Sequence, residues 1–183
     1  MRITNKLLIF GFVTVALISG LAFLPVFAQN TAMTDQQVQL IRDNCVSTKN
    51  TLNQLHSSDA LLRVNRGQIY ESMSTKLMEK FNSRVSSNGL SNSNLVLVAN
   101  NYSTALDTFR ADYIIYEKQL TLSMNIDCSK QPIVFYDAVA LARNERSQVH
   151  ADVLKLNQLI DQYQASVSQF GQDYQTAMQG VKQ

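Results

Sequence analysis

From Phe135 to Val181 an apolar side chain returns every three or four residues: Phe135, Val139, Ala142, then Arg146, Val149, Val153, Leu156, Ile160, Tyr163, Val167, Phe170, Tyr174, Ala177 and Val181. Arg146 is the one charged member of the series. A repeat averaging about 3.5 residues keeps one stripe of a helix against its neighbour along its whole length, which demands long helices crossing at a shallow angle. The same step runs through Leu95, Ala99, Tyr102, Leu106, Phe109, Tyr113, Tyr116 and Leu120. It runs less regularly through Val38, Ile41, Cys45, Thr48, Leu52, Leu55, Leu62, Ile69 and Met73, behind a Thr34-x-x-Gln37 capping-box pattern.

Two turns separate these stretches. Residues 86–94 read Ser-Ser-Asn-Gly-Leu-Ser-Asn-Ser-Asn, and residues 127–132 end on Pro132, the one proline after Pro25. Proline there suits the first position of a helix. The pattern predicts an all-α fold, an elongated antiparallel three-helix coiled-coil bundle running up, down and up. A break in the first helix near residues 56–67, at the polar run His56-Ser57-Ser58-Asp59 or at Gly67, would make it four helices.

Cys45 and Cys128 are the two cysteines. Cys45 lies 42 residues before Ser87 and Cys128 lies 37 after Ser91. At ~1.5 Å per residue the two reach nearly one level, within about 8 Å, so they are expected to form a structural disulfide. No C-x-x-C motif suggests a redox role.

The N-terminus sets the compartment. Arg2 and Lys6 precede a largely apolar run from Leu7 to Leu24, then Pro25 and Val26-Phe27-Ala28. This is the pattern of a secretory signal peptide over residues 1–28, with an uncleaved N-terminal anchor as the competing reading. Either way residues 34–181 are expected to be exported as a single helical-bundle domain. Membrane association follows only if the N-terminal segment is retained. The net charge of +2 belongs to that segment, because the rest balances at 14 basic against 14 acidic residues. A neutral domain offers no electrostatic case for nucleic acid.

One polar level is expected inside the bundle. Asp59 lies 14 residues above Cys45 and Arg146 lies 14 above Pro132. Tyr113 and Glu117 stand 15 and 11 residues from Cys128. All fall ~16–23 Å from the disulfide end, flanked by Arg63 and Arg143, with Arg66 two turns higher. A core arginine needs paired, hydrogen-bonded acids, and Asp59 and Glu117 are its expected partners. The layer reads as a register lock, with a ligand site between helices as the alternative.

Catalytic, cofactor-binding and metal-ligating candidates are none. His56 and His150 have no second histidine at helical spacing, and phosphate-binding glycine loops and nucleophile elbows are lacking. The heptad aromatics Tyr102, Phe109 and Tyr116 read as core. Asn101-Tyr102-Ser103 matches a glycosylation sequon, relevant only in a eukaryotic secretory pathway. The third helix is expected to outrun the second near Gln169, leaving Phe170, Tyr174, Ala177 and Val181 as an interaction tail for a homo-oligomer or partner helix. Val38 and Ile41 are expected to overhang at the other end. The function expected is a non-enzymatic scaffold, adaptor or chaperone-like binder of the cell envelope or exterior. The alternative is a small-ligand-binding or sensory bundle using the Arg/Tyr/Asp layer.

Overall fold

The computed structural model describes residues 33–180, which lie in one compact unit. Residues 1–28, expected to be a signal peptide or anchor, and Val181 lie outside the described residues. The first rod comprises α1 (Asp35–Asp43), α2 (Cys45–Ser72), a π-helical turn (Met73–Met78) and α3 (Glu79–Ser87). It is followed by α4 (Ser93–Asn125) and α5 (Pro132–Gly180), so the described residues are all-α and form a helical bundle.

Each boundary has a local cause. The capping box at Thr34 is formed: the Gln37 N–H donates to Thr34 Oγ1 at 3.3 Å, and the Thr34 N–H donates to Gln37 Oε1 at 2.9 Å. At Asn44 the side-chain amide donates to the Leu40 carbonyl at 2.9 Å, competing with the backbone ladder and separating α1 from α2. At the end of α3 the Leu90 N–H reaches the Val85 carbonyl at 3.2 Å and the Gly89 N–H reaches Ser86 at 2.9 Å. This Schellman closure needs a left-handed residue, and Gly89 supplies it with φ of 67°. Pro132 opens α5, where its missing N–H costs nothing.

The α4–α5 interface is the most extensive in the unit, and α2 packs chiefly on α4. Tyr102, Phe109 and Tyr116 are buried as expected for core heptad positions. The first rod departs from its expected seam. Leu62 and Ile69 are half exposed, whereas Tyr70, Ser74, Met78 and Asn82 are buried. These four lie at successive four-residue steps. In a straight α-helix each such step overshoots by about 40°, so three steps would rotate the stripe off the core by about 120°. The wider π turn at Met73–Met78 absorbs that drift and keeps the stripe inward. The alternative break near residues 56–67 is not found: α2 runs through them unbroken, and the interruptions fall at Asn44 and at the π turn.

Cys45 and Cys128 are disulfide-bonded with their Cα atoms 5.5 Å apart. This compatibility with an oxidising compartment is joined by a packed lower end. Ile41 packs on the lower core and α1 contacts α5, so Ile41 does not overhang. Arg42 Nε donates to the Ser129 carbonyl at 3.2 Å. Asp127 organises the α4–α5 turn. Hydrogen bonds, chiefly from the Ser129 hydroxyl and also from Lys130, hold its carboxyl down to about 2. No helix among the described residues is long and apolar enough to cross a membrane.

Candidate functional site

The core divides into an upper cluster containing Tyr70, Tyr102, Leu106, Phe109 and Leu156, and a lower one containing Leu52, Tyr116, Leu120, Phe135 and Ala142. Where the two meet, α2 leaves a gap toward α5, and a cleft of about 310 Å³ opens. That is the lower end of the usual range for small-molecule sites. Its floor is α4, through Phe109, Tyr113 and Tyr116; α2 contributes Asp59, Leu62, Arg63 and Arg66, and α5 contributes Arg146, Val149, His150 and Val153. The exposure of Leu62 has its explanation here, since it lines the cleft wall.

The expected pairing of Arg146 with Asp59 is present. Arg146 Nε donates to Asp59 Oδ2 at 2.7 Å and Nη2 donates to Oδ1 at 3.1 Å. Tyr116, expected only as core, donates its hydroxyl to Asp59 Oδ2 at 2.7 Å. Burial pushes the Asp59 carboxyl up, but hydrogen bonds from Arg146 and Tyr116 and the Arg146 charge outweigh it and hold the group below the usual carboxylate value. The same contacts act in reverse on their partners. The Asp59 hydrogen bond raises Arg146, and burial followed by the Asp59 bond raises Tyr116. The site therefore holds a fixed carboxylate, a fixed guanidinium and a neutral phenol.

The rest of the layer is not matched as expected. Glu117 makes no ion pair with Arg146; its carboxylate lies 3.9 Å from His56 Nε2. Arg143 is exposed and does not line the cleft. Arg63 lies over the Tyr113 ring at 5.2 Å, a cation–π contact. Arg66, expected two turns above the layer, lines the same cleft because the cleft extends upward from Asp59 over one heptad. Among the described residues neither Arg63 nor Arg66 has an acidic partner. Arg110, one residue along α4 from Phe109, is by contrast paired with both Glu71 and Asp107.

A second polar feature escaped the sequence reading. Asp152 is buried between α4 and α5 beside Asp112, and its Oδ2 has no hydrogen-bond partner. Burial first, then the charge of Asp112, pushes its carboxyl up. Asp152 is one residue before the seam position Val153 and so looked like a surface residue. No group of three or more His, Cys, Asp or Glu among the described residues is placed to hold a metal ion.

The C-terminal tail splits in two. Phe170, expected to overhang, packs edge-on against Phe81 of α3, with ring centroids 5.9 Å apart. Beyond it Tyr174, Ala177 and Met178 are exposed. No protein-family model matches the chain, and neither a curated protein nor a solved structure is significantly similar to it.

Proposed function

We propose that the mature protein is an exported, non-enzymatic binding protein of the cell envelope or exterior that takes up a small molecule between its helices. The observation that carries this reading is the coincidence of a cleft with the Asp59–Arg146–Tyr116 layer, floored by the aromatic rings of α4. Convergent polar groups on an otherwise apolar hollow are the usual makeup of a ligand site. Export is supported by the signal-type N-terminus and by the Cys45–Cys128 disulfide.

The adaptor reading keeps one supporting observation, the exposed Tyr174, Ala177 and Met178 beyond Phe170. Its site is distinct from the cleft, and the two readings are separable. Thermal unfolding against a panel of neutral, acidic and basic small molecules tests the first. A ligand of the cleft raises the midpoint of the native protein and leaves Leu62→Trp, in which the indole occupies the cleft, unmoved. A panel that moves neither protein, or both equally, contradicts the cleft reading.

A further inference from the structure

We infer that the cleft selects a small anionic amphiphile: an apolar body about 10 Å long carrying one carboxylate head. The inference rests on the cleft being a binding site and adds the chemistry of its occupant.

Length comes from the helices. Asp59 to Arg66 on α2, Tyr116 to Phe109 on α4 and Arg146 to Val153 on α5 each span one heptad of the cleft, ~10 Å of helix. The lower end is closed by the Asp59–Arg146 pair. The floor and walls are apolar, with Phe109 and Tyr113 below and Leu62 and Val149 at the sides. Such a surface takes an alkyl or aryl body; beside the arginines and Asp59 its polar lining residues are Tyr113, His150 and Tyr116, whose hydroxyl is already given to Asp59.

Charge comes from counting partners. Three arginines line the cleft and one carboxylate answers them. Asp59 is already saturated by Arg146 and Tyr116, both of its oxygens being engaged. Arg63 and Arg66 are left without an acid among the described residues, although Arg110, which lines a neighbouring hollow together with Arg63, has two. Arg63 is held over the Tyr113 ring, which positions its guanidinium at the edge of the apolar floor. A guanidinium there binds a carboxylate through paired N–H donors. A neutral molecule of the same shape leaves these donors unused, and a cationic one meets them as like charge. The cleft therefore discriminates by head group, while its body contacts are permissive.

The test is calorimetric titration of the mature protein, residues 29–183, with decanoate and decyltrimethylammonium, each below its micelle-forming concentration, and decan-1-ol below its solubility limit. The variants are Arg63→Gln/Arg66→Gln and Leu62→Trp, with folding checked by circular dichroism; all three positions are exposed and should tolerate change. Decanoate is expected to bind saturably and about tenfold or more tighter than decan-1-ol, with the double glutamine variant losing that margin. Leu62→Trp should lose binding of both. Equal affinity for all three probes, blocked by Leu62→Trp, overturns the anion preference and leaves the cleft reading standing. Decanoate binding that survives Leu62→Trp unchanged overturns both. No binding of any probe overturns the amphiphile class, and the wider panel of neutral and basic molecules then decides the cleft reading separately.

Discussion

Replacing Arg146 with methionine removes two of the three hydrogen bonds that hold the Asp59 carboxylate, leaving only the Tyr116 hydroxyl. Breaking a fully buried pair from one side costs about 3–5 kcal/mol. Here the Asp59 side chain is 10% exposed but that of Arg146 is 50% exposed. Water can therefore enter the vacated side, and solvent already screens the pair, which brings the expected loss down to roughly 1–3 kcal/mol at pH 7. The pH dependence gives an independent reading. In the native protein the Asp59 carboxyl is held below its ordinary value, so its contribution is present above that value and lost as pH falls through the depressed folded one. In the variant the burial that dominates is opposed mainly by Tyr116, the carboxyl moves up, and acidification relieves the strain instead of adding to it. Urea unfolding followed by circular dichroism at pH 7 and again near pH 4 should therefore show a deficit that shrinks with acid. Asp59→Asn combined with Arg146→Met should recover part of the loss, since no uncompensated charge remains. A variant as stable as the native protein at pH 7, with an unchanged pH profile, would refute the claim that Arg146 compensates a buried carboxylate.

Four further outcomes follow from other parts of the bundle. Asp152→Asn should stabilise the domain at neutral pH by about 1 kcal/mol, because burial and Asp112 raise the Asp152 carboxyl. A raised group contributes its stability below the ordinary carboxylate value and loses it as pH rises through the folded one, so the variant's advantage should vanish below about pH 4 in paired melts. Tyr163→Phe strips a hydroxyl that donates at 2.8 Å to Asn82 Oδ1, and denaturant titration should register about 1 kcal/mol. Cys45→Ala/Cys128→Ala opens a cross-link across 83 residues and should lower stability by about 4 kcal/mol, measured against the oxidised protein under identical conditions. Deleting residues 171–183, whose described part is largely exposed, should leave unfolding unchanged within about 0.5 kcal/mol. Sedimentation that finds the full chain monomeric as well as the truncated one would remove the self-association role of that tail.

Much of the bundle is legible from residue spacing because long helices repeat one local rule. The α4 seam, the α5 seam through Phe135, Ala142, Leu156 and Tyr163, the two turns and the Cys45–Cys128 level follow from counting, since rise per residue is nearly constant, whereas buried Leu159 lies beside the counted position Ile160. The first rod is less legible for the same reason. A count in heptads carries the stripe from Asp59 to Leu62 and Ile69, but the chain changes to four-residue steps at Tyr70, and the compensating π turn leaves no composition signal. The charges at the candidate site were visible, and the Asp59–Arg146 pair follows from their shared level. Which acid faces which base was not, because Glu117 and Asp59 lie on adjoining helices near one height and only rotation about the helix axes separates them. The cleft was hidden too: it arises where two core clusters fail to merge, and side-chain volume across three helices decides that. Asp152 escaped because it occupies the position beside the seam, where a buried and an exposed residue look alike in sequence.

A ligand seated in the gap between α2 and α5 can be located directly. Methyl-labelled protein titrated with decanoate should show saturable shifts in Leu62, Val149 and Val153, while Val85 and Leu120, buried away from the cleft, stay in place. Shifts confined to Met178 on the exposed tail, or small and uniform through the whole domain, would contradict the placement of the site.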